Sequence, residues 1–207
     1  MRSTNPTERN NVAQAVAEVQ ALSIDLEGNP PQRFSFELGR GKCYQMLFRS
    51  RARYSGTLRT LSRCAGVGCV MHDGGLISNL DVRENLLLPI AYRTPEFLDE
   101  AALHAREVLA ACGQSTDDIS RLLMALPGSL TVIERRMVGF VRTILMNPDV
   151  VVFDRILDEL APEETQHAQV FHRVWRACFP FRTAIYLDYE GRAHLDHQVP
   201  DVCYQIS

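Results

Sequence analysis

Residues 142–164 read RTILMNPDVVVFDRILDELAPEE, and the fold prediction for the whole chain starts from this stretch. An apolar run ends on Asp154 and is followed by a turn-like segment, which is typical of a buried strand. A strand that ends on an aspartate is a common way for phosphate-handling α/β proteins to present a metal ligand. The residue after this aspartate is Arg155, which places a cation beside the carboxylate.

Segments on both sides of this strand alternate between strand-like and helix-like patterns. Strands are predicted over residues 34–38, 43–48, 66–71, 149–154 and 183–189. Helices are predicted over residues 81–92, 95–112, 131–147 and 162–178. Two helix starts have capping-box spacing, namely Asp81 with Glu84 and Thr131 with Glu134. Strands that alternate with helices predict an α/β fold with a largely parallel sheet.

The chain is organised as one domain with an insertion. Residues 1–11 are polar and read as a tail, and residues 12–207 form the single domain. The helical block at about residues 81–126 interrupts the strand–helix alternation, so we expect an inserted helical subdomain there.

Composition excludes several classes of protein. Of 207 residues, 46% are hydrophobic and 23% charged, and the net charge of −3 gives no basic field for nucleic acid. The six cysteines form no C-x-x-C pair, which favours reduced thiols. No apolar run reaches the ~20 residues that span a bilayer, so direct membrane insertion is not expected.

Two stretches carry a resemblance to a known family. Residues 74–92, GGLISNLDVRENLLLPIAY, and residues 142–164 resemble the ATP-binding subunit of an ABC transporter, closest to the ATPases of Mla-type, MCE-associated lipid transporters. The resemblance runs from about Ser23 to Tyr189. It implies a P-loop NTPase-type sheet with an inserted helical subdomain.

The phosphate-binding loop of that family is not retained. Its pattern G-x-x-x-x-G-K-[ST] aligns with residues 48–55, FRSRARYS, which contain neither glycine. Tyr54 stands at the lysine position, Arg53 at the preceding glycine, and Ser55 fits the magnesium-binding hydroxyl. We therefore expect a basic loop that faces solvent or a partner, with arginines at positions 49, 51, 53 and 59.

Most other catalytic positions of the family are also replaced. The resemblance aligns His72 with the glutamine that senses magnesium, Arg155 with the glutamate base, Ala161 with the D-loop aspartate and Tyr189 with the switch histidine. Asp154 is the catalytic residue that remains, and we expect it to make a local hydrogen bond or to pair with a nearby arginine.

The signature motif L-S-G-G-Q aligns with residues 130–134, LTVIE. In the family, the glycines of this helix start approach the γ-phosphate held by a partner subunit. The signature-like residues here are Thr131, Val132, Ile133 and Glu134. They bring larger side chains and a negative charge to the position of the phosphate. The predicted capping box would also supply hydrogen-bond partners to the backbone N–H groups of this helix start.

The resemblance and the replacements together predict a pseudo-ATPase with no catalytic residue and no bound cofactor. It would dock on an integral membrane permease, with lipid transport as one possibility, and pair with a second ABC-type subunit in a homo- or heterodimer. Its location would be the cytoplasmic face of the inner membrane, reached through partners. The predicted docking groove is apolar and contains Leu76, Ile77, Leu80 and Leu86.

Two alternatives remain open at this point. One is a divergent ATPase or nucleotide sensor, in which Arg53, Ser55 and Asp154 hold ATP and magnesium in an altered way. The other is a soluble regulator that uses the ABC fold to bind another protein.

The remaining candidate residues are interpreted as structural or surface residues without a catalytic or metal-binding role. The His194–His197 pair is not expected to bind metal, because no cysteine pair accompanies it. His167 and His172 do not share a helix face and are interpreted as surface histidines. Trp175 is expected in the core or at a subunit contact, and no G-x-S-x-G pattern is present.

Overall fold

The computed structural model describes residues 20–26, 32–190 and 200–206. The predicted polar tail and the His194–His197 pair therefore lie outside the described residues. So does the side chain of His167.

Within the described residues, seven strands form two sheets. The strands are β1 Gln20–Leu26, β2 Gln32–Leu38, β3 Cys43–Phe48, β4 Val67–Val70, β5 Val150–Asp154, β6 Thr183–Tyr189 and β7 Val202–Ile206. β1 and β2 pair antiparallel as a small sheet, and the other five form a sheet in the order β4-β5-β6-β3-β7. All four pairings of the larger sheet are parallel, so the predicted α/β class is confirmed.

The part of the chain that the structure describes contains six helices. They are α1 Arg51–Leu61, α2 Val82–Arg93, α3 Leu98–Ala111, α4 Thr116–Leu123, α5 Val132–Leu145 and α6 Pro162–Cys178. Short 3-10 turns, Pro95–Phe97 and Pro127–Ser129, precede α3 and α5. α2, α3 and α4 pack on one another, and α2 and α3 also contact α5.

The strand read from the sequence around Val151 is buried on both faces. Val151 and Phe153 point into the core shared with helices α2 to α6. Val150 and Val152 point to the opposite face, into the core shared with α1. Because both faces of this strand are covered, its sequence does not alternate between apolar and polar residues. Burial of each Val or Phe side chain contributes about 1.5–3 kcal/mol to the stability of the fold.

Both predicted capping boxes are present. The Asp81 carboxylate accepts the Glu84 backbone N–H at 2.7 Å, and the Glu84 side chain accepts the Asp81 N–H at 2.9 Å. The Thr131 hydroxyl accepts the Glu134 N–H at 3.3 Å, and Glu134 accepts the Thr131 N–H at 2.9 Å. These bonds satisfy backbone donors that have no partner inside the helix, which is why α2 and α5 begin where the sequence predicts.

The sequence expectation for the basic loop is wrong, and β1, α4 and β7 were not predicted as separate elements. The segment predicted as a basic loop is two residues, Arg49 and Ser50, followed directly by α1. Ser50 accepts the Arg53 N–H at 3.4 Å, and with no glycine in the stretch the helix forms three residues before Tyr54. The C-terminal strand β7 was not predicted, because it is only five residues long and is held by its parallel pairing with β3, 154 or more positions away in the chain.

His172 is not a surface histidine, contrary to the sequence interpretation. Its Nδ1 lies 2.7 Å from the hydroxyl of the buried Tyr186, and Arg176 Nε lies 3.4 Å from its Nε2. Burial, with a further contribution from the positive charge of Arg176, lowers the pKa of His172 to about 4. Trp175 is fully buried in the core, as expected.

The buried His172 predicts an acid-sensitive fold. The folded state disfavours the charged imidazole, so the stabilisation is complete above the ordinary pKa of 6.5 and is lost as the pH falls towards about 4. The loss would reach up to about 3 kcal/mol over that window. His172→Gln keeps a hydrogen-bonding group towards Tyr186 but cannot take up a proton, so its stability should fall less between pH 7 and pH 4.5. Urea unfolding at both pH values tests this, with His104→Gln as the control; equal pH dependence in all three proteins would contradict it.

No helix in the described part of the chain is both long enough and apolar enough to cross a bilayer.

Candidate functional site

Four of the residues aligned with catalytic positions lie around Asp154, whereas Ser55 and Ala161 do not: the four are Tyr54, His72, Arg155 and Tyr189. This aspartate ends β5 and its side chain is 1% exposed. The Tyr54 hydroxyl, on α1, donates a hydrogen bond to Asp154 Oδ1. His72, just after β4, lies with Nδ1 2.9 Å from Asp154 Oδ2 and donates its backbone N–H to the same oxygen at 3.3 Å. The expectation of a locally hydrogen-bonded aspartate is confirmed.

Two aromatic rings and one arginine cover this aspartate. The rings of Tyr54 and Tyr189 stack with centroids 4.8 Å apart. The Arg155 guanidinium lies 5.6 Å from the Tyr54 centroid and 5.8 Å from the Tyr189 centroid, within range for cation–π attraction. Its Nε also lies 3.5 Å from Asp154 Oδ1. We call these five residues the closed site: Tyr54, His72, Asp154, Arg155 and Tyr189.

The backbone of Arg155 adopts a conformation that costs energy. Its φ of 43° lies in the left-handed region, which costs a non-glycine residue about 1–2 kcal/mol. The Arg155 side chain bonds both Asp154 and, at 3.5 Å, Asp158. The contacts with two carboxylates and two rings offset the backbone cost.

Burial and neighbouring charges shift the pKa values of two residues of the closed site. Burial raises the pKa of Asp154, while the His72 N–H and Arg155 act in the opposite direction. Burial and the positive charge of Arg155 lower the pKa of His72. The lowered pKa favours the neutral imidazole, whose Nδ1 lies within hydrogen-bonding distance of Asp154 Oδ2.

The structure around Tyr54 does not form a phosphate cradle. Two residues separate β3 from α1, so few backbone N–H groups are available to surround an anion. Ser55 lies on the exposed face of α1, although the resemblance aligns it with the magnesium-binding hydroxyl of the ABC family. Arg53 is half-buried in the first turn of α1, where the helix dipole disfavours cations. The neighbouring Arg49 pairs with Glu190 at 2.5 Å.

The loop after β4 is held by two arginines from α5. Arg136 is 1% exposed and donates to the carbonyl oxygens of His72 at 2.6 Å and Ile156 at 3.1 Å. Arg142 donates to the carbonyls of Gly74 at 3.3 Å and Gly75 at 2.8 Å. The sequence reading missed both arginines. A signal existed for Arg136, because it lies one helical turn before the apolar Phe140 and so shares its face.

Close backbone packing also fixes this loop against α5. A Cβ on Gly139 would lie 2.6 Å from the Gly74 carbonyl oxygen. Gly74 has φ +84°, and a Cβ there would lie 2.5 Å from the Arg135 carbonyl oxygen. Both positions require glycine for the loop and the helix to touch.

The signature-like helix start is occupied by its own side chains. Thr131 and Glu134 form the capping box, and Arg121 Nη2 donates to Glu134 Oε1 at 2.9 Å. Ile133 packs against the core of the same chain, and Val132 is half-buried. Two backbone N–H groups of this helix start, those of Thr131 and Glu134, are therefore used within the capping box.

The predicted docking groove is partly wrong. Leu86 is 1% exposed and belongs to the core, because its position on α2 faces α5. Leu76 packs partly against the same core, Leu80 is half-buried, and Ile77 is 41% exposed. The sequence reading also missed Asn85, whose buried amide bonds the backbone of Ile77 and Leu80 and fixes this loop.

The architecture defines an α/β protein with the fold of the ATP-binding cassette ATPases. A similar solved structure is the dimeric post-hydrolysis state of the ATP-binding cassette MJ0796 bound to ADP and Pi. Sequence identity is 16%, the TM-score is 0.62, and the match covers 84% of this chain and 88% of that chain. No protein-family model and no curated protein matches the sequence. Identity this low establishes the fold alone, so the argument for function rests on the residues of this chain.

Proposed function

We propose that this chain is a pseudo-ATPase: a cassette-fold subunit that neither hydrolyses ATP nor binds it tightly. The observation that carries the proposal is the bond from Tyr54 to Asp154. Tyr54, which the resemblance aligns with the lysine of the ABC phosphate-binding loop, bonds Asp154, which it aligns with the magnesium-binding carboxylate, so that carboxylate is used for an internal contact.

The residues of the closed site do not fit magnesium-ATP. Magnesium prefers several oxygen ligands in octahedral geometry, and the phosphates supply part of that set. Here Ser55 faces away and Asp154 is covered by Tyr54 and Arg155. Binding would have to break the hydrogen bonds of a buried carboxylate, each of which contributes about 1.5–3 kcal/mol.

The cellular role that we propose is docking within a transport complex. The chain would bind an integral membrane permease on the cytoplasmic face of the inner membrane, through the loop that exposes Ile77. The proposed cargo is lipid, as in transporters of the Mla/MCE kind. The MJ0796 cassette was solved as a dimer. By analogy this chain would pair with a second cassette-type subunit, and its signature-like residues, capped by their own side chains, would face that partner.

The proposal predicts that the pure protein releases no phosphate from magnesium-ATP above the rate of a buffer control. Arg155→Glu should remain inactive as well, because positioning and charge stabilisation act as a unit in phosphoryl transfer. Calorimetry should show no saturable heat at micromolar ATP, since the dissociation constant is expected to be no better than about 1 mM, or about −4 kcal/mol. Phosphate release that Asp154→Ala abolishes would refute the proposal. One-to-one binding at micromolar ATP would favour the nucleotide-sensor alternative instead.

A further inference from the structure

A second surface of the molecule, which shares no lining residue with the closed site, is a groove that combines apolar and polar side chains. The groove has a volume of about 600 Å³ and is lined by α2, α3, the 3-10 turn before α3 and the end of α5. Its apolar lining includes Ile90, Phe97, Leu103 and Leu145. We call it the α2–α3 groove. Ile90 lies eight residues after the start of α2 at Val82, or about 12 Å along the helix, so the groove is separate from the loop that contains Ile77.

Large apolar side chains are exposed around this groove. Phe97 is 51% exposed and Leu103 is 60% exposed, and both line it. Tyr92, which is 83% exposed, and Met146 adjoin lining residues in the sequence. Contiguous exposed apolar surface with a polar margin is characteristic of an interaction site. Because Phe97 and Leu103 stand open to solvent, the shape favours a macromolecular segment over an enclosed small molecule.

The charges at the groove specify its partner. Glu100 and Glu107 both line it, seven residues apart on α3, which separates them by about 10 Å along the helix. Glu96 is exposed on the adjoining 3-10 turn, and Asp99 is exposed in the first turn of α3. An anionic membrane surface would be repelled by these carboxylates, whereas a basic segment would be attracted.

A second copy of the chain does not supply the complementary surface through its most basic described helix. α1 exposes Arg51, Ser55 and Arg59, but none of its large apolar side chains is exposed. The occupant must combine aliphatic and basic residues on neighbouring positions of one face, as amphipathic helices in grooves do.

We propose that the α2–α3 groove binds a short amphipathic helix of another protein, with aliphatic side chains on the buried face and two Lys or Arg residues seven positions apart. The aliphatic side chains fill the space between Ile90, Phe97 and Leu145, and the two cations pair with Glu100 and Glu107. This proposal goes beyond the pseudo-ATPase function and does not depend on it.

Site-specific photocrosslinking of the full chain in its native cells tests the proposal. Leu103→p-benzoylphenylalanine places the probe on the margin of the groove, and Met124→p-benzoylphenylalanine, at another exposed apolar position, is the matched control. Mass spectrometry of the Leu103 crosslink should identify a segment of another protein with helically spaced aliphatic residues and two basic residues seven apart. Crosslinks to lipid, to a second copy, to residues 1–19 of the same chain or to an acidic segment would overturn the proposal. An equal crosslink pattern from the Met124 probe, or no crosslink from Leu103, would also overturn it.

Charge reversal supplies a second, independent measurement. The double variant Glu100→Lys/Glu107→Lys should lower the crosslink yield from position 103 at least tenfold, and changing the two basic partner residues to Glu should restore it. A yield unchanged by the double variant would refute the assigned charge pairing. The pseudo-ATPase proposal stands or falls separately on phosphate release and ATP calorimetry.

Discussion

Tyr54→Ala is expected to destabilise the protein by about 4 kcal/mol. The change removes a buried aromatic ring, which typically costs about 3–5 kcal/mol, together with the hydroxyl that donates to the buried Asp154. It also removes the stacking on Tyr189 and the edge contact with Phe48. For a chain of this size the midpoint of thermal unfolding should fall by about 10 °C.

A comparison with Tyr54→Phe separates the hydroxyl from the ring. The phenylalanine keeps both ring contacts and loses only the donor to Asp154, so we expect a loss of about 2 kcal/mol. That loss should be larger at pH 8 than at pH 4.5, because the donor matters most when the carboxylate is ionised. Urea unfolding followed by circular dichroism measures both variants, and Tyr92→Ala, on an exposed ring, should change stability by less than about 0.5 kcal/mol. A Tyr54→Phe protein as stable as the wild type at pH 8 would contradict the role given to the hydroxyl.

Arg136→Met is expected to cost about 3 kcal/mol and to loosen two loops at once. The methionine fills much of the volume but leaves the carbonyl oxygens of His72 and Ile156 without their donor, and each unsatisfied buried group costs about 1–3 kcal/mol. Arg136→Lys should recover part of the loss, since it keeps the charge but not the fork geometry that reaches both oxygens.

Hydrogen exchange distinguishes this local effect from general destabilisation. In Arg136→Met, amides at residues 72–75 and 155–158 should exchange faster than those of β3 and β6, relative to the wild type. Arg63→Met, at an exposed position just after α1, is the control and should leave the exchange pattern unchanged. Uniform acceleration across the sheet in Arg136→Met would show that the arginine stabilises the whole domain and does not specifically hold the loops.

Local sequence signals predicted those features that depend on neighbouring residues. The two capping boxes use side chains three positions apart, so their spacing is visible in the sequence and the structure contains both. The strand ending at Asp154 was predictable because a strand buried on both faces needs a continuous apolar run. The start of α1 is the exception. The resemblance predicted a loop at residues 49–55, but the local residues, with Ser50 as the cap and no glycine, favour a helix.

Only the tertiary structure decided which residues meet at the closed site. Tyr54 and Asp154 are 100 positions apart, and the parallel order of β3, β5 and β6 brings their carboxyl ends together. The resemblance aligned Tyr54, Arg155 and Tyr189 with separate catalytic positions, but it did not predict that they would stack on one another. Leu86 and His172 are also buried by elements that are distant in the chain, although the sequence predicted both at the surface. Periodicity identifies which residues share a helix face, whereas burial depends on which element packs against that face, and distant parts of the chain determine this.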